Sequence, residues 1–248
     1  DGSKRSRTFT LDTMGRIVML EVDGETKEQE TWDLVGNRAT STNTFMGWVN
    51  SPWTTDAGDR ITAGPDATYS YDPQGSRASR VGNDGTTTYN HSPEGDLLSV
   101  GLPAGGTISY RYDVWGRRSG RSYNSEVTHH YLYRPSGKLV AVADKAGEIR
   151  EHYLWIGDRP SRVEKDGARF WLATDQIGSI RYVVDEAGII VQAYEYDTWG
   201  NRVWESNPDF ELSLGFASGI YDEDTGFLRY GVRDYDPATG VFIQPDPA

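Results

Sequence analysis

The chain has 248 residues, and 25 Lys and Arg against 37 Asp and Glu leave a formal charge of −12. That acidic balance excludes a broad basic face for duplex nucleic acid. The absence of cysteine excludes disulfides, iron–sulfur clusters, thiolate zinc sites and thiol nucleophiles.

The first residues, Asp1-Gly-Ser-Lys-Arg-Ser-Arg-Thr8, have no apolar segment behind them. They do not read as a signal peptide; they read as an internal start. No apolar run approaches the ~18 residues of a membrane helix, so no membrane span is expected. Fifteen Tyr and eight Trp accompany 28 Gly and 11 Pro. Aromatic and β-branched residues favour strands, while Gly, Asp, Asn and Pro favour turns. Gly or Pro interrupts nearly every candidate helix, and the composition predicts an all-β fold of short strands.

A repeat runs along the chain. Leu11-Asp-Thr-Met-Gly15-Arg-Ile is followed by Trp32-Asp-Leu-Val-Gly36-Asn-Arg and, after a break, by Tyr71-Asp-Pro-Gln-Gly75-Ser-Arg. His91-Ser-Pro-Glu-Gly95, Tyr112-Asp-Val-Trp-Gly116-Arg-Arg, Tyr133-Arg-Pro-Ser-Gly137 and Tyr196-Asp-Thr-Trp-Gly200-Asn-Arg continue it. Shorter relatives end at Gly147, Gly178 and Gly188. In each unit an aromatic closes a strand, Asp bonds a backbone N–H two residues on, and Gly supplies positive φ. A unit of about 21 residues is thus a hairpin with two short strands. A lone hairpin cannot bury its face, so neighbours pair edge to edge. About two dozen strands at ~4.8 Å spacing make an edge of roughly 115 Å, which must curl into a curved wall or one turn of a hollow spiral. The repeat glycines are expected along sheet edges, and Trp32, Tyr71, Tyr112, Tyr133 and Tyr196 as a stacked ladder. Residues 41–66 fit the repeat least well and are expected to form a longer loop.

Three further stretches are more specific. Trp171-Leu-Ala-Thr-Asp-Gln-Ile-Gly-Ser-Ile180 and Tyr194-Glu-Tyr-Asp-Thr-Trp-Gly-Asn-Arg202 precede a long C-terminal signature from Phe216 to Pro247. That signature contains Tyr221-Asp-Glu-Asp-Thr-Gly226, Arg233-Asp-Tyr-Asp-Pro237 and Pro245-Asp-Pro247. Together with the repeats it resembles RHS/YD-repeat proteins over nearly the whole chain, and specifically the C-terminal part of the RHS core. The resemblance implies a continuous curved or spiral sheet of antiparallel β-hairpins, a shell or cocoon. It implies a YD-repeat segment over 1–215 and a truncated, autoprotease-like end over 216–248.

In function, the resemblance implies a shell segment of a polymorphic toxin that encapsulates and delivers a C-terminal toxin domain absent from this chain. Its implied partners are that toxin, preceding shell repeats, and a chaperone, immunity or secretion-system protein. Nucleic acid is not among them. The implied location is secreted, cell-surface or delivered by a bacterial secretion system. Other YD repeats resemble those of cell-surface adhesion proteins, which leaves an extracellular adhesion or carbohydrate-binding module as the alternative. No cofactor or metal is implied, and no turnover of an external substrate is expected.

The resemblance places self-cleaving carboxylates at Asp236 and Asp246, with Arg233 as the third member. Two carboxylates sharing a proton can act as acid and base on an amide. The plainer reading is a pair of Asp-Pro turns and a surface ion pair. Val241 stands where the family usually has Arg. Asp222, Asp224 and Asp234 read as turn residues. Arg117-Arg118 and Lys4-Arg5 read as solvated, and Glu151-His152 as surface or lining. On a strand His129 and His130 face opposite sides, which disfavours a shared metal. Residues 203–248 hold nine acids and two bases, −7 of the total −12, and read as a solubilising surface. An open repeat sheet leaves two unpaired edges, which are expected to self-associate or to be covered by loops.

Overall fold

A computed structural model describes residues 6–246, so Lys4-Arg5 and Pro247 lie outside the described residues. The chain divides into two compact units, residues 1–70 with 80–83, and residues 71–79 with 84–248.

In the first unit, β1 (Arg7–Leu11), β2 (Ile17–Val22), β3 (Glu25–Trp32), β4 (Arg38–Asn43) and β5 (Trp48–Pro52) pair antiparallel in chain order. Short strands β6 (Thr54–Thr55) and β7 (Ile61–Ala63) follow. Two strands straddle the division, β8 (Ala67–Tyr71) and β9 (Arg77–Gly82). Half of the expected long loop over 41–66 is therefore strand. Its tryptophans explain why: Trp48 and Trp53 are buried and meet edge to face at 5.8 Å. Trp53 Nε1 donates to Ser41 Oγ at 2.7 Å and Trp48 Nε1 to Asp66 Oδ2 at 2.6 Å. Satisfied indoles of this size order a segment that lacks the repeat motif.

The second unit carries β10 (Gly85–His91), β11 (Leu97–Gly101), β12 (Thr107–Tyr112), β13 (Arg118–Tyr123), β14 (Glu126–Tyr133) and β15 (Leu139–Ala143). It continues with β16 (Ile149–Ile156), β17 (Arg159–Lys165), β18 (Ala168–Thr174), β19 (Ile180–Asp185), β20 (Ile190–Tyr196) and β21 (Arg202–Glu205). Each strand from β10 to β21 pairs antiparallel with the next, so one large sheet is built from consecutive hairpins. A smaller sheet of β22 (Ile220–Tyr221), β23 (Leu228–Tyr230), β24 (Arg233–Asp236) and β25 (Val241–Phe242) closes the chain. Among the described residues the single helical element is a 3-10 turn at Phe216–Ser218. The all-β, antiparallel hairpin fold expected from the repeats is the fold observed.

Residues 206–243 cover one face of the large sheet. Leu212, Leu214 and Ile220 join a core with Tyr131, Tyr153, Val163, Ile180, Val183, Tyr194 and Tyr196. Phe227 and Ile243 join a second core with Tyr89, Leu97, Val100, Ile108 and Tyr110. Alternation along each strand aims these rings inward: in β20, Gln192, Tyr194 and Tyr196 are buried, whereas the residues between them are only half-buried.

Three of the motif aromatics are tied to the preceding hairpin by hydrogen bonds to its backbone. Tyr112 OH donates to Leu97 O at 2.6 Å, Tyr133 OH to Arg118 O at 2.7 Å, and Trp32 Nε1 to Ile17 O at 3.1 Å. Each spans 15 residues. At these three positions the aromatics form polar rungs, because a ring lying on one hairpin puts its polar tip over the carbonyl row of the preceding one.

Candidate functional site

The repeat turn positions the chemistry. In the unit at Asp113, Oδ1 accepts the backbone N–H of Trp115 at 2.9 Å and of Arg117 at 3.0 Å. Oδ2 accepts Arg117 Nε at 2.7 Å and Nη2 at 2.6 Å. Asp12–Arg16 and Asp56–Arg60 repeat this fork. The pairing slips by one residue between Arg111 and Tyr112, and Gly116 takes φ 74°. A bulge of this kind needs Gly at the left-handed position. Backbone bonds from Arg16 hold the Asp12 carboxyl below the usual carboxylate range. The Arg60 guanidinium does the same for Asp56.

The residue five places after the turn Asp begins the returning strand and is buried in most repeats, Ile149 and Ile190 being exposed. It is Arg38 in the first unit, Arg77, Arg118 and Arg202 in the second, and Leu or Ile in other repeats. Arg77 Nη1 meets Asp236 Oδ2 at 2.5 Å, and its Nη2 donates to Thr239 Oγ1 at 3.0 Å. Arg118 Nη2 reaches Asp234 Oδ1 at 2.6 Å while its guanidinium lies 3.6 Å over the Tyr110 ring. Asp234 Oδ2 accepts Arg229 Nη1 at 2.7 Å and Gln244 Nε2 at 2.9 Å. Arg229 continues to Asp96 at 3.2 Å. From the same strand as Arg118, Arg121 grips Asp222 with two bonds, at 2.9 and 3.3 Å, and also meets Asp224. Tyr110 OH donates to Asp222 at 2.7 Å. Burial alone would raise the Asp222 and Asp234 carboxyls; the facing arginines reverse this and hold both below the usual range.

Asp222 and Asp234 are thus buried ion-pair partners, not simply turn residues, and Arg118 is buried, not solvated. Asp236 is buried too, so the C-terminal acids form a docking surface as well as a charged exterior. Glu151 is buried: it accepts Tyr153 OH at 2.6 Å and Ser213 N–H at 3.1 Å. A signal existed in the sequence, since the Gly-x-Arg ending of the repeat recurs at Gly36, Gly75, Gly116 and Gly200. Nothing local showed that distant aspartates meet those arginines.

The three expected site residues divide into two places. Arg233 Nη2 and Asp246 Oδ1 come together at 2.9 Å, with the Asp246 side chain 79% exposed. They border a cavity of about 360 Å³ with Gln74, Ser76, Glu94 and Gln244. Along β24, Asp234 and Asp236 are buried, alternating with half-buried Arg233 and Tyr235. Asp236 therefore shares a face with Asp234 and points toward Arg77, away from Arg233. Among the described residues no hydrogen bond joins the Asp236 and Asp246 carboxyls.

A second cavity, of about 420 Å³, lies between β13–β17, β21 and the covering segment. Acids outnumber bases in its lining, which includes Arg121, Lys165, Arg202, Glu205, Glu211 and Glu223. Burial and the neighbouring Glu211 push the Glu223 carboxyl up to about 7. His129 borders it and stacks on Tyr131 at 5.9 Å. No group of three or more metal-ligating side chains occurs among the described residues.

Comparison with known proteins agrees with the repeat pattern. The family model described as Teneurin YD-shell matches residues 1–248. Teneurin-3 of Danio rerio is 32% identical over 270 residues, covering 96% of this chain and 10% of that protein. The tRNA nuclease WapA of Bacillus subtilis is 29% identical over 243 residues, covering 94% and 10%. Among solved structures, a Photorhabdus luminescens Tc holotoxin pore aligns over the whole chain and 19% of its own, at 14% identity and a TM-score of 0.41. The chain spans about a tenth of the length of these curated relatives. A family match over every residue, on a fold of consecutive YD hairpins, places this chain in the Teneurin YD-shell family.

Proposed function

We propose that this chain is the C-terminal stretch of a YD-repeat shell that encloses and delivers a C-terminal toxin domain, outside the producing cell or through a bacterial secretion system. The observation that carries the reading is the docking of residues 216–246 on the repeat sheet through Arg77, Arg118 and Arg121. Buried carboxylates matched one by one to repeat arginines make a rigid closing element, as the end of a container requires. Family membership supports the shell, and the similarity to a protein named as a tRNA nuclease supports a toxic cargo. Preceding repeats, the cargo and a chaperone or immunity protein are the partners of this reading.

Self-cleavage by Asp236 and Asp246 with Arg233 is its finer part. The geometry favours structural duties for these residues: Asp236 is committed to Arg77 and Thr239, and Asp246 to Arg233. The test is the natural full-length protein, followed by intact mass and by protease protection of the cargo. A shell predicts a protected cargo that becomes sensitive when Arg118 is replaced. A cargo digested equally in both forms overturns the container. Cleavage at the wild-type rate in Asp236→Asn and Asp246→Asn leaves the container standing and removes the catalytic role. The alternative, an extracellular adhesion or carbohydrate-binding module, draws on the exposed rings of Trp115, Trp171 and Trp204. Glycan binding abolished by alanine at these positions, without cargo protection, favours it.

A further inference from the structure

Four successive hairpin tips lie along one edge of the large sheet, at 113–117, 134–138, 157–158 and 175–179. A cation ties each tip to the next. Arg117 Nη1 donates to Arg134 O at 3.2 Å, Lys138 Nζ to Gly157 O, and Arg159 Nη2 to Gln176 O at 2.8 Å. Two strand spacings separate neighbouring tips, so the row runs about 30 Å. Its outermost side chains are apolar: Val114, Trp115, Ile156 and Ile177 are between 53% and 90% exposed. Single exposed apolar residues are ordinary, but four in one stitched row make a patterned surface.

Charge follows the same edge. Arg117, Arg134 and Lys138 balance the three acids of these turns, and Arg159 follows directly. The turns of the opposite edge, at 144–148, 166–167 and 186–189, hold four acids and one base. Asp113 and Asp175 are also turned back under their own turns, where each Oδ1 accepts two backbone N–H groups. Arg134 and Arg159 are exposed, and neither forms an ion pair among the described residues. The Arg117 guanidinium lies 4.6 Å from the Trp115 ring. An exposed indole with a cation beside it suits the boundary between acyl chains and headgroups. We propose that this edge docks on a lipid bilayer bearing anionic headgroups, with Val114, Trp115, Ile156 and Ile177 entering the interface and Arg117, Arg134 and Arg159 on the phosphates. A fluid interface accepts tips spaced about 10 Å apart without the matched concavity that a protein partner would have to supply. The proposal goes beyond the container reading and stands without it, since it concerns one edge within one compact unit.

The test is co-sedimentation of the purified chain with vesicles of phosphatidylcholine alone and of an equal mixture with phosphatidylglycerol. Binding to the mixed vesicles is expected, at least tenfold weaker to phosphatidylcholine and weakened by added salt. Val114→Asp with Ile177→Asp, both at exposed tips, should weaken it at least tenfold at an unchanged unfolding midpoint. Ala146→Asp with Ala187→Asp adds the same charge to exposed tips of the opposite edge and should change binding less than twofold. Brominated acyl chains should quench the tryptophan fluorescence of the bound chain, and Trp115→Phe should remove most of that quenching. No binding to the mixed vesicles at millimolar lipid overturns the proposal and leaves the row to a protein partner. Equal loss in the two double variants overturns it as well, because net charge alone then decides binding. So does quenching that Trp115→Phe leaves unaltered, which marks another face.

Discussion

Arg118 and Asp234 lie 116 positions apart in sequence and meet at 2.6 Å, with side chains 1% and 0% exposed. Removing one member strands the other charge in the core. Arg118→Ala or Asp234→Asn is expected to lower stability by about 3–5 kcal/mol, whereas breaking a half-exposed surface pair costs under about 1 kcal/mol. Denaturant midpoints of the two variants check this. A change no larger than that of Arg181→Ala, whose bridge to Glu195 is only part-buried, would contradict it.

The turn fork gives a graded series. Asp113→Ala removes the acceptor of two backbone N–H groups and of Arg117, and should cost about 1–2 kcal/mol by analogy with lost helix caps. Arg117→Ala removes only the ion pair and should cost less than about 1 kcal/mol. Thermal unfolding of both variants should preserve that order.

Glycines of the turn differ in what surrounds them. Gly137 and Gly200 both have positive φ, 83° and 97°, and alanine there costs about 1–2 kcal/mol from backbone strain alone. A Cβ at Gly137 meets nothing within 4 Å, while one at Gly200 falls 2.5 Å from the Phe216 ring. Gly200→Ala should therefore destabilise clearly more than Gly137→Ala, measured by chemical denaturation.

The polar rungs are testable by deleting one oxygen. Tyr112→Phe and Tyr133→Phe each leave a hairpin carbonyl without its donor and should each cost about 1 kcal/mol. Tyr182→Phe, on an exposed ring, serves as the comparison and should be near neutral.

The dependence on pH has two limbs. Burial and the neighbouring Glu211 push the Glu223 carboxyl up to about 7, above the usual carboxylate range. Its contribution is therefore present in full below the unfolded value and is lost as pH rises through about 7. Asp222 and Asp234 are held below 3.8, so their contribution is present above that value and is lost as pH falls through their depressed values. Stability should fall from mildly acidic to slightly alkaline pH, and collapse again in strong acid. In Glu223→Gln the first decline should flatten while the acid limb stays, as read from unfolding midpoints between pH 2 and 8.

The sequence alone determined the hairpin, its turn and its repetition. Aromatic, Asp, Gly and the basic residue after it interact within a few positions, so Asp113 and Arg117 act on the same backbone wherever the repeat lies. It also marked the C-terminal signature as distinct. The tertiary structure decided what covers the repeat sheet, which arginines are neutralised, and by which aspartate. Arg77, Arg118 and Arg202 read alike in sequence, yet two meet aspartates of β24 and the third lies between Tyr194 and Tyr221. The order Asp234-Tyr-Asp236 says nothing of Arg118 or Arg77, because those contacts span more than a hundred residues. They exist only once β22–β25 lie on the sheet. The partners of Asp236 and Asp246 follow from the same cause: strand alternation turns Asp236 to Arg77 and leaves Asp246 with Arg233.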